Sequence, residues 1–426
     1  MLSFQIWLPI IGALFVLGWG TDQEADRTRK LALLVNLFTL VLCIPLWMGF
    51  ELSSADMQFT EQLSWVPLLQ INYHLGVDGI SMPLIILNVF TTTVVLFSTW
   101  HSIQQRVPLY CAAFLVMQGL VSGVFCALDS ILFYVFWEGC LVPMYLIIGM
   151  WGSADRNYAS IKFFLFTFVG SVFMLIGLLY LAFKANSFAI LDFYPLKLSL
   201  TSQLWLFTAF FLGFAVKVPM WPVHTWLPDA HTEAPAGGSI MLAAILLKLG
   251  AYGFLRFALP IVPDASQALA GLMMALSLIA IIYIAWVAIA QSDMKKLIAY
   301  SSISHMGFVT LGFFMIYAIV QRTGNSADAS LGMEGGLVVM ISHAFVSGAL
   351  FAGVGYLYDR LHTREIKDFG GIVNTMPIFG SFFMLFAMAN AGLPGTSGFV
   401  GEFMVIVSSM QAGFWIAVLA SSTLIL

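Results

Sequence analysis

The sequence is short of charge. Of its 426 residues only 9% are Asp, Glu, Lys or Arg, against about 25% in a soluble protein. So few charges cannot clothe a water-facing surface, while 61% of the chain is hydrophobic. A soluble globular fold is excluded and an integral membrane protein is expected. Cysteine is scarce as well: Cys43, Cys111, Cys126 and Cys140 each stand alone in an apolar stretch. Without a C-x-x-C pair, neither a zinc nor an iron–sulfur site is indicated, and the four read as small buried hydrophobes. Basic blocks are missing and the net charge is only -4, so nothing points to nucleic acid. Nucleotide-binding glycine loops are absent, as are serine or cysteine triad signatures and any metal-ligand spacing. No redox centre is legible. No low-complexity segment or linker divides the chain, which reads as one membrane domain over 1–426.

What fills the sequence is apolar runs long enough to span a bilayer, which takes about 20 residues. They fall near 3–19, 31–50, 80–100, 109–128, 130–150, 160–183, 203–219, 239–259, 268–290, 297–319, 334–357, 375–410 and 413–426. The first, "MLSFQIWLPIIGALFVLGWG", lacks a basic leader and a small-residue cleavage site, so it is expected to be a retained helix. The run at 375–410 is too long for one simple crossing. It is interrupted by "GLPGTSG" and reads as one broken helix. The expectation is an all-α polytopic protein of thirteen spans. The last run reaches Leu426 without a polar tail, which suggests a further helix beyond it.

The positive charges alternate with these spans. If the loop between the first two helices is cytoplasmic, that side holds Arg27, Arg29, Lys30, Arg106, Arg156, Lys162, Lys295, Lys296, Arg360, Arg364 and Lys367. The other side holds Lys184, Lys197, Arg256 and Arg322. The asymmetry follows the positive-inside rule and places the N-terminus outside. The longest polar loops, 51–79 and 320–333, are then both external.

Four strongly ionisable residues lie inside apolar runs: Glu138 in "FYVFWEGCLVPMYLI", Lys217 in "LGFAVKVPMWPVHTWLPDAH", Lys248 in "SIMLAAILLKLGAYGF" and Glu402 in "GFVGEFMVIV". Each costs on the order of 2.5–3.5 kcal/mol at the bilayer centre on insertion scales. Buried structural ion pairs, or side chains reaching for the interface, would place charge there too. Proton transfer is the functional reading. Burial disfavours a lone charge and an opposite charge nearby restores it, so a Glu–Lys pair that forms and separates acts as a switch. Glu138 is expected to pair with Lys217, and Lys248 to accept the proton next.

The run containing Lys217 is broken at once by Pro219, Pro222 and Pro228. Prolines remove backbone donors that lipid cannot replace. The break is expected to lend helix-end charge and admit water to the lysine. A second broken segment near 402 also carries a titratable group, and paired interruptions point to a transporter's working site. His305 in "SSISHMGF" and His343 in "VVMISHAFVSG" suit a relay, since imidazole titrates near neutral pH; satisfied structural histidines are the alternative. His224 and His231 flank "TWLPDA" at the expected cytoplasmic end of the first break.

These residues carry a resemblance. The stretch 217–257, "KVPMWPVHTWLPDAHTEAPAGGSIMLAAILLKLGAYGFLRF", is similar to the hallmark of the proton-conducting, antiporter-like membrane-arm subunits of respiratory complex I. With "FWEGCLVPMYLIIGMWG", "MKKLIAYSSISHMGF", "HTREIKDFGG" and "GLPGTSGFVGEF", the chain resembles the subunit M / chain 4 type of NADH:quinone oxidoreductase. The likeness runs through nearly the whole sequence. It implies a fourteen-helix fold with two inverted five-helix repeats, about 109–259 and 268–426. Their discontinuous helices would lie near 217–230 and 392–402. By the matching motifs, Glu138 and Lys217 form the switching pair, Lys248 is the central relay lysine, His305 and His343 extend the relay, and Glu402 is the terminal carrier.

The same resemblance implies no cofactor in this chain: NADH, flavin (FMN), iron–sulfur clusters and quinone would be bound by other subunits. Its partners would be other membrane-arm subunits, including homologous antiporter-like ones on either side, together with lipids and protons. Its place would be a bacterial inner (plasma) membrane rather than a mitochondrial one. Two departures stand out. The resemblance implies a fourteenth helix, whereas the expected thirteenth run reaches Leu426, and the 320–333 loop reads as longer than is usual between the two histidines. Alternative readings from the same architecture are a D-type subunit of an Mrp-like sodium/proton antiporter and a subunit of a membrane hydrogenase or carbon-uptake complex.

Overall fold

The computed structural model describes residues 1–325 and 327–424, and of residue 328 the backbone alone. Among the described residues eleven helices are long and apolar enough to cross a membrane. They are α1 (Leu2–Trp19), α2 (Ala25–Met48), α3 (Ser81–Ser98), α4 (Val107–Cys126), α5 (Ser130–Trp151), α6 (Arg156–Ala185) and α7 (Leu200–Lys217). After the short helix α8 (Trp226–Glu233) come α9 (Ala236–Ile261), α10 (Pro263–Ile289), α11 (Met294–Thr323) and α12 (Ala327–Leu361). After a single turn at Ile372–Thr375 come three shorter helices, α13 (Pro377–Asn390), α14 (Ser397–Ala412) and α15 (Phe414–Ser421). At 1.5 Å per residue, an 18-residue helix is about 27 Å long, close to the hydrocarbon thickness. The run expected as one broken helix at 375–410 is α13 and α14. The final apolar run is described up to Leu424; Ile425 and Leu426 lie outside the described residues.

Contacts divide the chain into two compact units. The first holds residues 1–199, 208–213 and 233–241. Here the 51–79 segment, expected as a plain polar loop, contains an antiparallel hairpin, β1 (Gln58–Val66) and β2 (Ile71–Val77). The sequence reading missed it because its alternation is weak. Leu75 and Val77 are fully buried, and β2 is stitched to the turn between α4 and α5. Leu128 N donates to His74 O at 2.9 Å, and Asn72 N to Asp129 Oδ2 at 3.0 Å. Asp129 is also the N-cap of α5: its Oδ1 accepts from Ile131 N and Leu132 N at 2.9 and 3.1 Å. Such a cap contributes about 1 kcal/mol. Burial raises the pKa of the Asp129 carboxyl above the usual range despite these three amide donors.

The second unit holds residues 200–207, 214–232 and 242–426. Its α10, α11 and α12 pack closely because small residues line their contacts, as helices in lipid require. A Cβ on Gly312 would meet Gly332 O at 2.5 Å. Ser277 Oγ and Thr310 Oγ1 bond across α10 and α11 at 2.7 Å, and Ser304 Oγ donates to Ile281 O at 3.0 Å. The expected long loop at 320–333 is corrected. Helix α11 continues to Thr323 and α12 begins at Ala327, so most of that stretch is helical. Gly324, at φ +69, ends α11 with its amide on Val320 O. Alanine, leucine and methionine then restart the helix, with Ala329 fully buried.

Candidate functional site: a buried line of ionisable groups

Five of the six candidate residues lie in the second unit, and four of them, Lys248, His343, His305 and Glu402, follow one another side chain beside side chain. Lys248 is fully buried on α9. Just before it, Leu242–Leu246 is wound as a π turn, a feature often found where a helix serves a function. The widened turn leaves the Ala243 carbonyl to accept from Lys248 Nζ at 2.7 Å. The same Nζ lies 2.7 Å from His343 Nδ1. Two nitrogens so placed hold one proton between them. Either the ammonium donates to the imidazole, or the imidazole N–H donates to the amine. Ser347, one turn along α12, places its Oγ 3.4 Å from the same Nδ1 while donating to His343 O at 2.5 Å.

Beyond His343 stands His305 on α11, with ring centroids 5.6 Å apart. His305 Nδ1 lies 2.6 Å from Glu402 Oε1. His343 Nε2 is buried with no hydrogen-bond partner among the described residues. A cavity of about 10 Å³ is lined by His305, His343, Glu402, Ser342 and Asn390. That is about the space one water requires. A larger cavity of about 420 Å³ also borders His305 and Glu402, with Ser301, Ser304 and Asn390 on its wall.

Lys217 ends α7 and is 2% exposed. A cation at the carbonyl end of a helix is favoured by the helix dipole. The break after it is tightly closed. Val218 N and Met220 N still bond to Phe214 O and Ala215 O at 2.8 and 2.7 Å, and Trp226 Nε1 reaches back to Val216 O at 2.9 Å. Helix α9 crosses here at Gly250, where a Cβ would meet Phe214 O and Val218 N, each at 2.7 Å. The break expected to admit water to the lysine holds it 2% exposed among these backbone contacts. His231 is likewise fully buried, stacked on Phe351 at 4.4 Å between centroids.

Glu138 is half-buried on α5 in the first unit, whereas Lys217 belongs to the second. The second break spans 391–396, with Gly392 and Gly395 at φ +73 and +93. Asn390 Nδ2 bonds to Ser301 Oγ at 3.2 Å, and Ser342 Oγ to Ser397 Oγ at 3.0 Å. A side chain at Gly392 would meet Glu402 Oε2 at 3.0 Å. Sequence reasoning missed Ser347, Asn390 and Ser342. Ser347 follows His343 by four residues, a helical neighbour spacing that signals contact. Among the described residues no group of three His, Cys, Asp or Glu is placed to hold a metal ion.

Fold and site together define a polytopic membrane protein with a buried line of ionisable side chains. The family described as "NADH:quinone oxidoreductase/Mrp antiporter, TM" matches residues 127–426, well over half of the sequence. The chain belongs to that family. It is 47% identical over 442 residues to NADH-quinone oxidoreductase subunit M of Rhodobacter capsulatus, covering 100% of this chain and 83% of that one. It is 43% identical to NADH-ubiquinone oxidoreductase chain 4 of Marchantia polymorpha, with the same two coverages. Among solved structures, a chain of respiratory complex I from Thermus thermophilus with bound NADH matches with TM-score 0.88 and 31% identity. The match covers 100% of this chain and 86% of that one. An archaeal membrane-bound sulfane sulfur reductase matches with TM-score 0.83 at 20% identity, a likeness of fold alone.

Proposed function

We propose that the chain is a proton-translocating membrane-arm subunit of an NADH:quinone oxidoreductase. The observation that carries the reading is the line Lys248–His343–His305–Glu402, with its 2.7 and 2.6 Å contacts at either end. A proton on Lys248 passes to His343 Nδ1. The imidazole turns over its second proton at Nε2, a water in the 10 Å³ cavity bridges to His305, and Glu402 receives it. Lys217, at the carbonyl end of α7, supplies Lys248, and its hold on the proton is set by pairing with Glu138. Quinone reduction in other subunits drives the cycle. NADH, flavin, iron–sulfur clusters and quinone are bound there, and this chain works without a cofactor of its own.

Its neighbours are other membrane-arm subunits of antiporter-like type, with lipid around them. The chain sits in the plasma membrane with its N-terminus outside, in keeping with the lysine and arginine asymmetry. Its halves, about 109–259 and 268–426, are inverted repeats, each with one broken helix.

The test is NADH-driven acidification of inverted membrane vesicles, comparing the natural chain with Lys217→Ala at matched assembly. Acidification and quinone reduction should both fall about tenfold or more, a loss of at least about 1.4 kcal/mol in driving or barrier. If both persist, Lys217 is structural or the chain works outside an NADH-driven complex. Sodium-dependent proton exchange without any response to NADH would put the Mrp-like antiporter reading first.

A further inference from the structure

One side chain outside the buried line touches three of the elements around it. Arg364 follows α12 in the "HTREI" turn. Its Nη1 donates to Thr232 O in the last turn of α8. Its Nε lies 3.3 Å from Asp293 Oδ2. Its guanidinium carbon sits 5.7 Å from the ring centre of Tyr358 on α12. Asp293 is the N-cap of α11, its Oδ1 accepting from Lys295 N and Lys296 N at 2.7 and 3.1 Å. The two backbones are laced beside it. Met294 N donates to Arg364 O at 3.0 Å, and Ile366 N to Ser292 O at 2.9 Å. The side chain of Arg364 is only 19% exposed and that of Asp293 13%.

The elements so joined are those that carry the proton groups. Helix α8 is the far side of the break that begins after Lys217. Helix α11 bears His305, and α12 bears His343. We infer that Arg364 is a positioning residue, a latch that ties the far end of the first break to the cap of α11, so that the break moves only in step with the relay helices. A planar guanidinium can point separate N–H groups at a carbonyl and a carboxylate while its face lies on an aromatic ring; an ammonium has no such fork. The backbone lacing holds the turn to α11 without Arg364, so removing the side chain loosens the last turn of α8, whose His231 still packs on Phe351, and leaves the turn in place. As a coupling device the latch rests on the proton-translocating reading; as a contact that holds α8 it does not.

The test uses the assembled complex with Arg364→Gln, Arg364→Lys and Asp293→Asn. Hydrogen–deuterium exchange comes first. Arg364→Gln should raise exchange of amides in 222–233 at least about threefold, while exchange at 391–396 stays as in the natural chain. Unchanged exchange at 222–233 overturns the latch whatever the vesicles do. Vesicle acidification per NADH oxidised comes second. It should fall about twofold to fivefold in Arg364→Gln while NADH oxidation keeps at least about half its rate, with both single-contact variants in between. Equal loss of both rates, with the lysine variant as impaired as the glutamine one, assigns Arg364 to folding alone and overturns the coupling role. If the natural complex shows no NADH-driven acidification, the functional reading fails, and the exchange result still decides the contact.

Discussion

The first break is closed around Lys217, with only Pro222 and Thr225 of 218–225 exposed, and the second, at 391–396, is mostly exposed. Both interrupt an apolar helix beside a titratable group, yet they are built from different residues. Prolines and tryptophan make the first. Trp226 is 1% exposed and its indole closes on Val216 O. Glycines make the second, where Leu393, Pro394 and Gly395 are exposed or nearly so and two glycines take positive φ. The charges differ in the same sense. Lys217 gains from the carbonyl end of α7. Glu402 lies more than a turn inside α14, where the dipole is weak, and is held by the His305 imidazole at 2.6 Å. Lys217 is enclosed by backbone, whereas Glu402 borders a 420 Å³ cavity.

The comparison can be broken at the closed end first. Gly250→Val would drive a side chain into Phe214 O and Val218 N. Overpacking of this kind costs about 1–3 kcal/mol, and the assembled complex should lose thermal stability or fail to accumulate. An unchanged melting temperature would show that the first break is looser than its contacts indicate. Trp226→Phe keeps an aromatic ring and loses the bond to Val216 O, worth about 1 kcal/mol. Acidification per NADH should fall about fivefold, measured with matched assembly. The open end should tolerate more. Asn390→Ala removes the bond to Ser301, whose hydroxyl keeps access to the cavity, so acidification should stay within about twofold. A loss at Asn390 larger than at Trp226 would reverse the contrast between the two breaks.

Much of this arrangement is legible in the sequence. Hydropathy alone marks the spans, because the bilayer demands about twenty apolar residues each time. A buried charge is costly enough that Lys217, Lys248 and Glu402 stand out without a structure. Chain reversals that depend on a few residues are less legible. Residues 327–333 continue as helix because alanine and leucine outweigh the polar residues around them, and the β1–β2 hairpin hides in a polar stretch. Contacts between distant segments are not legible at all. No local pattern tells that the Ala243 carbonyl is turned to Lys248, that Gly250 is the crossing point of α9 with the end of α7, or that Arg364 reaches Thr232.

The central claim is that the line from Lys248 to Glu402 carries protons rather than merely burying charge. His343→Gln tests it most directly. Glutamine can still accept a hydrogen bond from Lys248 but cannot take up and release a proton. In inverted vesicles with matched assembly, NADH-driven acidification should fall about tenfold or more, the loss expected when one proton-transfer group is removed. Acidification equal to that of the natural chain would contradict the account and leave the line as a structural hydrogen-bond chain.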